Sequence, residues 1–371
     1  MKTLAIIGAG EAAIPIINKA KEMGVHTLAF ARQGSYAQNL VDVFVEENSF
    51  DIDFMARKCE EFHVNGIKAS SEMTTEVTAK VAQKAKLPGN SLIGGFGGKN
   101  KYQMRRRVDG LKSVCQPKFL IYEEGTIYDL PVVVKAVDSC GKRGVSLAKT
   151  VEEFKVAVSL AKENSSDGSV LIEEYLEGGK EYSIECLSSG KLHQVIQYTE
   201  KESSGPPHFV EVAHHQPAQL TDDVKKRIDV AVSDILEALG LNCGMAHLEL
   251  KIINDKIYFI EVGARHGGDH IGDTLTVNST DFDYFKAAIE CALGEYEYTS
   301  SQNVAYTGIY FHSKYNEHLN KLFRKAETAD WCLVNTVKNQ DFCQASSNVE
   351  SAEAGYIIYK SDHKITIQDC Q

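Results

Sequence analysis

The chain has 371 residues, with 40 basic against 51 acidic side chains and a formal net charge of −11. That length accommodates two or three domains with their own cores. The acidic balance argues against a nucleic-acid or anionic-membrane surface, where a basic excess is needed to displace counterions. Nine scattered cysteines, odd in number and without a C-x-x-C pair, argue against a disulfide frame or a zinc site. They read as small apolar residues of a reduced compartment. The segment MKTLAIIGAGEAAI holds too short an apolar run for a signal peptide, and no stretch reaches membrane-span length. The expectation is a cytoplasmic protein with small-molecule partners, no nucleic acid and no membrane; assembly as a homodimer is left open.

In chain order, residues 1–96 alternate strands with helices. Thr3–Ile7 reads as a buried strand, Gly8-Ala9-Gly10 as a tight turn and Ala12–Met23 as a helix stopped by Gly24. Strands follow at Val25–Phe30, Val41–Val45 and Gly66–Ser70, with helices around Asp53–Phe62 and Thr74–Lys86. This pattern predicts a doubly wound parallel sheet. The Gly-Ala-Gly turn lacks the third glycine of a dinucleotide fingerprint. The second strand also ends Phe30-Ala31-Arg32-Gln33, with no acidic residue for a ribose, which disfavours NAD. Glu11 and the Ser70-Ser71-Glu72 tip can face a cleft, and they equally suit turn and helix-capping positions.

Composition shifts at Gly94-Gly95-Phe96-Gly97-Gly98, where the first boundary is placed. The helix Asn100–Val108 carries Lys101 and the run Arg105-Arg106-Arg107, read at least in part as a solvated face. Pro131–Val137 is a β-branched strand with Lys135 alternating away from its apolar neighbours. It feeds Asp138-Ser139-Cys140-Gly141-Lys142-Arg143-Gly144-Val145, a cationic glycine-punctuated loop suited to closing over phosphates, though without Walker A spacing. An amphipathic helix at Val151–Lys162 and a strand at Ser169–Glu173 lead into Glu174-Tyr175-Leu176-Glu177. Antiparallel strands are expected at Glu181–Ser188, Leu192–Thr199 and Phe209–Ala213, with Glu200–His208 as an active-site loop. Thr221 caps a helix to Leu239, ended by Gly240. After a helix at Phe282–Leu293, short strands and the helix Asn316–Lys325 resume, ending in strands Gly355–Tyr359 and Lys364–Gln368.

The most informative stretch is Met245–Gly272, MAHLELKIINDKIYFIEVGARHGGDHIG. It reads as strands Ala246–Ile253 and Ile257–Val262 around an Asn254-Asp255-Lys256 turn. Glu249 and Glu261 are equidistant from Asp255, so one register opposes them and pairs Leu248 with Val262, Leu250 with Ile260 and Ile252 with Tyr258. A slip would push Glu261 onto the apolar face, so the pattern selects this pairing. Opposed like charges repel, and a hard divalent cation between the carboxylates would relieve them beside a phosphate. Gly263, Arg265, Gly267 and Gly268 then form a turn with a guanidinium suited to phosphate oxygens.

Taken in order, these marks resemble the ATP-grasp superfamily in its carboxylate–amine ligase branch. They are Asn100-Lys101-Tyr102-Gln103-Met104-Arg105, Val133-Val134-Lys135, Gly141-Lys142-Arg143-Gly144-Val145, Ile172-Glu173-Glu174-Tyr175-Leu176, Glu181-Tyr182-Ser183, Glu249, and Glu261-Val262-Gly263-Ala264-Arg265. The resemblance implies a mixed α/β and α+β chain with a Rossmann-like lead domain at 1–96. An ATP-grasp nucleotide-binding domain follows at 97–295, in subdomains of about 97–175 and 176–295, then a small α+β piece at 296–371. It implies that Lys101 and Lys135 meet nucleotide phosphates, with Lys142 and Arg143 in the loop above them. Glu173, Glu174, Tyr175 and Leu176 would form the adenine hinge, Glu181 the ribose ligand, and Glu249 and Glu261 the Mg²⁺ ligands, with Mn²⁺ as a substitute. Arg265 would hold the transferred phosphoryl group.

The implied reaction joins a carboxylate, of an amino acid by this reading, to an amine through an acyl phosphate formed from ATP. Pro206-Pro207-His208-Phe209-Val210-Glu211, with His214 and His215, is similar to the substrate-side strand of amino-acid ligases in this superfamily. Glu72, Glu211, His214, His266, Gly267 and Gly268 are the implied substrate residues; His266 and His270 equally suit loop-capping roles. One departure stands out: Gly263 occupies the position at which many members carry a metal-bridging asparagine, leaving one or two metal ions open. The rival readings are an ATP-grasp carboxylase or formate-dependent transferase of purine or biotin type, a nucleotide-binding regulator of the same fold, and an oxidoreductase resting on Gly8–Gly10.

Overall fold

Near-continuous burial of small and aliphatic residues, shared between two cores, dictates the amino-terminal layer. In the computed structural model, which describes residues 1–206, 209–313, 315–337 and 355–370, four parallel strands form a sheet of order β3-β2-β1-β4: β1 (Thr3–Ile7), β2 (His26–Ala31), β3 (Val43–Glu46) and β4 (Gly66–Ala69). Leu4, Ile6 and Ala29 belong to the core under one face, with helix α1 (Ile14–Glu22). Ala5, Ile7, Leu28 and Phe30 belong to the core under the other, with α2 (Ile52–Glu61) and α3 (Thr75–Ala85). Cover on both faces is what a parallel sheet requires. Capping sets the helix ends: the Asp51 carboxylate accepts the Phe54 N–H at 2.9 Å, and Gly24 turns the chain at φ +68° after α1.

The glycine-rich stretch where composition shifts is itself helical. α4 (Leu92–Gly97) is capped by Ser91 and packs against Gly240 and Ala79, where Gly94 and Gly95 leave no room for a Cβ. α5 (Lys101–Val108) follows, with Asn100 accepting the Gln103 N–H at 3.0 Å. The next strands, β5 (Phe119–Ile121), β6 (Val132–Ala136), β7 (Val145–Ala148) and β8 (Val170–Glu174), pair antiparallel in the order β5-β8-β6-β7. α6 (Val151–Asn164) backs this sheet through Ala157, Val158 and Ala161.

The remaining strands build one antiparallel sheet of order β13-β12-β9-β10-β11-β14-β16-β15. They are β9 (Lys180–Ser189), β10 (Leu192–Ser203), β11 (Glu211–Gln216), β12 (Cys243–Ile253), β13 (Lys256–Gly263), β14 (Tyr306–Phe311), β15 (Cys332–Asn335) and β16 (Tyr356–Ser361). α7 (Asp222–Leu239), capped by Thr221, buries Ile228, Ala231, Ile235 and Leu239 with Leu248, Leu250, Phe259 and Val262 of this sheet. α8 (Thr276–Ser279) follows a π-turn, and α9 (Tyr284–Ala292) shares one core with Leu4 and Ile6 on one side and Leu187, Ile196 and Met245 on the other. That shared core joins the parallel sheet to the large one. α10 (Asn320–Lys325) packs near the carboxy-terminal strands.

Several sequence expectations need correction. β10 continues through Ser203, pairing Glu200 to Glu202 with His215 to Ala213, so Glu200–Ser203 is ladder rather than loop. β11 begins at Glu211, not Phe209, and carries His214 and His215 into the sheet interior. Lys364–Gln368 is not a strand. Asp369 accepts the Thr366 N–H at 2.7 Å and its hydroxyl at 3.0 Å, and Ile367–Cys370 forms a 3₁₀ turn instead. Pro207, His208 and residues 338–354 lie outside the described residues. Among the described residues the cysteines are free, and no helix is long and apolar enough to cross a membrane.

Candidate active site

The Glu249–Glu261 hairpin turns on two residues rather than three. Asn254 and Asp255 both have positive φ, +47° and +64°, the left-handed pair of a type I′ turn, whose twist suits a hairpin. Lys256 therefore lies in the ladder opposite Ile253. Glu249 does oppose Glu261, and Leu248 opposes Val262, as the sequence predicts. Between Glu249 and Leu250 the register shifts, so Leu250 meets Phe259 and Ile252 meets Ile257, not Ile260 and Tyr258. This bulge reverses the alternation of β13, and Phe259 and Ile257 enter the core in place of the two expected residues.

The carboxylates already have cations. Glu261 Oε1 lies 2.9 Å from the Lys101 ammonium, which also donates to the Ser139 carbonyl at 2.5 Å. Glu249 Oε1 accepts from Lys201 at 3.0 Å, and Lys201 also lies 3.2 Å from Glu211. Lys201, opposed by burial, holds the Glu249 carboxyl well below the usual range. Burial works against the Lys101 charge, yet Glu261 beside it holds the ammonium above its ordinary value. The like-charge repulsion expected of the hairpin is thus offset by two lysines, one from α5 and one from β10.

A buried triad stands next to them. Glu173 Oε1 accepts from Arg105 Nε at 2.6 Å, and its other oxygen lies 2.7 Å from Lys135 Nζ. Arg105, fully buried, donates its remaining N–H groups to the Phe259 and Ile260 carbonyls at 2.8 Å each. Burial would raise the Glu173 pKa, but Arg105 and Lys135 hold it at about 2. Of the arginine run, Arg106 and Arg107 are the exposed members. Further along the expected hinge, Glu174 is exposed and accepts the Lys118 N–H at 3.1 Å. The Tyr175 ring meets Phe209 edge-on at 6.3 Å. The Leu176 carbonyl accepts from Lys251 at 2.9 Å, and Glu181 lies 3.6 Å from the same ammonium.

The loop after β6 folds back over this region. Lys142 donates to the Phe209 carbonyl and to Glu211, both at 2.7 Å, which links the cationic loop to β11. Arg143 instead turns onto its own loop, at the Cys140 carbonyl.

Beyond β13, Arg265 donates to Glu72 at 2.9 Å and to the His266 carbonyl at 2.8 Å. Burial, with Glu261 nearby, raises the Glu72 pKa against the pull of Arg265. Gly267 donates its N–H to the buried Glu185 carboxylate at 3.0 Å, and Glu185 also binds His247 Nδ1 at 2.5 Å. The other His247 nitrogen lies 3.7 Å from Glu249, so the glycine turn and the hairpin are tied through one buried pair. Gly268 has open space where a Cβ would stand. A Cβ at Gly263, the position lacking the asparagine, would touch the Arg265 side chain at 3.4 Å.

The histidines divide. Burial pushes His266 down to about 4, and its ring packs edge-on against Phe285 at 5.3 Å, which makes it neutral at physiological pH. His214 is fully buried against Phe311, with Nε2 3.8 Å from Asp269. His270 pairs with Asp273 at 3.5 Å within its own loop.

One connected network therefore gathers Lys101, Lys135, Lys142, Glu173, Glu211, Glu249, Glu261, Glu72 and Arg265. Arg105, Lys201, Glu185 and His247 belong to it and were missed from sequence. Glu185 lies on β9, which pairs with β12, and Lys201 on β10, one strand further out, a signal visible only once this strand order is known. A recess of about 480 Å³ lined by Pro217, Leu220, Asn303 and Tyr306 contains none of these residues.

Residues 128–273 match the family model for the ATP-grasp domain. The formate-dependent phosphoribosylglycinamide formyltransferase of Wolinella succinogenes is 28% identical over 196 residues, 53% of this chain and 46% of that protein. The alanine–anticapsin ligase of Bacillus subtilis is 25% identical over 238 residues, 56% of this chain and 49% of that protein. The match thus spans about half the length of these curated relatives. Among solved structures, the L-amino acid ligase from Bacillus licheniformis superposes with a TM-score of 0.79 at 22% identity, over 100% of this chain and 95% of that one.

Proposed function

We propose that this chain, an ATP-grasp protein, is an ATP-dependent ligase joining a carboxylate, an amino acid in our reading, to an amine, with release of ADP and phosphate. The observation that carries the reading is the network of Lys101, Lys135, Lys201 and Arg265, whose cations are each held by a carboxylate that a metal-bound nucleotide would exchange. In this reading residues 97–295 form the nucleotide-binding unit, with 1–96 before it and 296–371 after it.

Glu249 and Glu261 suit Mg²⁺, or Mn²⁺ in its place, because Mg²⁺ beside phosphate takes one or two carboxylates and fills its shell from phosphate and water. No group of three or more His, Cys, Asp or Glu side chains gathers as a ligand set among the described residues. When bound, the metal supplies positive charge at the phosphate oxygens. Lys101 and Lys135 neutralise phosphate charge in the bound nucleotide, and Arg265 holds the phosphoryl group as it moves.

A substrate carboxylate oxygen attacks the γ-phosphorus as the bond to ADP breaks. The amine nitrogen then attacks the acyl carbon, phosphate leaves with the C–O bond, and the nitrogen sheds its proton. No side chain forms a covalent intermediate; the work is positioning and charge stabilisation.

The relationship to a formate-dependent formyltransferase supports formate as the alternative carboxylate. The test is ADP release across a matrix of paired amino acids, with formate and bicarbonate as further donors and hydroxylamine to trap acyl phosphates. Amino-acid-dependent ADP and hydroxamate are expected. Hydroxamate from formate alone would replace the reading with the transferase. ADP release dependent on bicarbonate would replace it with the carboxylase, and no turnover with any donor would replace it with a nucleotide-binding regulator.

A further inference from the structure

Lys68 stands outside the network described above. It lies on β4, is 8% exposed, and its ammonium has no hydrogen-bond or ion-pair partner among the described residues. Taking a lone ammonium out of water is costly unless it is paired, and burial pushes the Lys68 pKa down.

Its titratable neighbours supply no negative charge. Burial pushes the Cys243 thiol up and the Cys291 thiol up to about 12, so both stay protonated at neutral pH. His266, at about 4, is neutral there too. The side chain reaches the start of β12, where a Cβ built on Gly244 would stand 3.6 Å from Nζ.

Lys68 lines a recess of about 30 Å³ with Thr75, Thr78, Asn90 and Gly244, room for more than the single water that needs about 10–15 Å³. Asn90 Oδ1 accepts the Cys243 N–H at 2.8 Å, which fixes the amide and leaves Nδ2 as an uncommitted donor. Thr75 and Thr78 donate their hydroxyl protons to the Glu72 and Thr74 carbonyls. The wall therefore offers one cation and one amide donor, with no carboxylate.

We propose that this recess binds a small monovalent anion of chloride size, held by Lys68 and Asn90 at the seam between the parallel sheet and the large antiparallel sheet. The anion restores charge balance around Lys68 and ties β4 to the start of β12.

The test is thermal unfolding of the full chain at constant ionic strength, replacing gluconate, too large for the recess, with chloride. The midpoint of the native chain is expected to rise and saturate with chloride, and Lys68→Met to lose that response. No chloride response in the native chain, or an equal one in both proteins, overturns the proposal. Bromide-soaked crystals of the native chain decide independently of how the variant folds. An anomalous peak beside Lys68 Nζ supports the site, and bromide found only elsewhere overturns it.

Discussion

Glu173 holds two cations with one carboxylate, and among the described residues neither Arg105 nor Lys135 pairs with another carboxylate. Removing one partner of a buried ionic group leaves uncompensated charge, at a cost of about 3–5 kcal/mol. Glu173→Gln is therefore expected to lower the unfolding free energy of the nucleotide-free chain by that order, read as a lower denaturant midpoint, and an unchanged midpoint would remove the triad from the stability of the fold. The pH dependence has a definite sign. The folded-state pKa, about 2, lies below the ordinary 4.5. Glu173 thus contributes stability that is full above the unfolded value and is lost as pH falls from about 4.5 toward 2. The Gln variant should be flatter over that window. The sequence singled out Glu173 through Ile172-Glu173-Glu174 as a hinge residue and not as the centre of an ion triad, and its partner Arg105 was hidden among three like residues. Only the helical phase of α5 against β13 turns Arg105 inward while Arg106 and Arg107 stay in water.

Period-2 alternation predicted the strands of the hairpin and the opposition of Glu249 and Glu261, because a slip would have buried a carboxylate. It failed on Ile260 and Tyr258, since the bulge follows from the turn. A two-residue turn with both residues left-handed uses up one residue fewer than expected, and β13 absorbs the excess where Phe259 gains burial. The glycines beyond β13 were read as freedom for phosphate, yet they act differently. A Cβ on Gly267 would stand 2.5 Å from Glu185 Oε1 and 2.7 Å from His247 Nδ1, whereas one on Gly268 would meet nothing. Gly267→Ala should separate the glycine turn from the Glu185–His247 pair and displace Arg265. Misplacement of about 1 Å costs on the order of 10²-fold in rate, so kcat is expected to fall on that scale with nucleotide affinity largely kept. Gly268→Ala, whose Cβ meets nothing, should leave the Glu185–His247 pair in place and lose far less kcat. Equal kcat values for the two variants would show that the turn is not held by that pair.

Across the whole molecule, the β5–β8 sheet supplies Lys135, the large sheet supplies Glu249 and Glu261, and α5 spans both through Arg105 and Lys101. A nucleotide bound between them makes contacts that exist only in the folded chain, which raises stability by RT ln(1 + [L]/Kd), about 2.7 kcal/mol at a hundredfold excess over Kd. Mg·ATP is expected to raise the unfolding midpoint, and ATP with a chelator to raise it far less, because the phosphates then meet the Glu249 and Glu261 carboxylates with no cation between them. Glu261→Gln provides the control. Without ligand it takes from buried Lys101 its counter-ion, so the empty fold should lose stability, the reverse of what repulsion between two glutamates alone would give. With ligand, the variant should also lose most of the metal-dependent shift, since a neutral amide is a weaker Mg²⁺ ligand than a carboxylate. The two effects separate the observed balancing of Lys101 from the proposed holding of metal. A variant that is destabilised but keeps the full Mg·ATP shift would leave Glu261 as a counter-ion and move the metal elsewhere. A midpoint raised by NADH and untouched by Mg·ATP would instead shift the binding site to the Gly8–Gly10 turn.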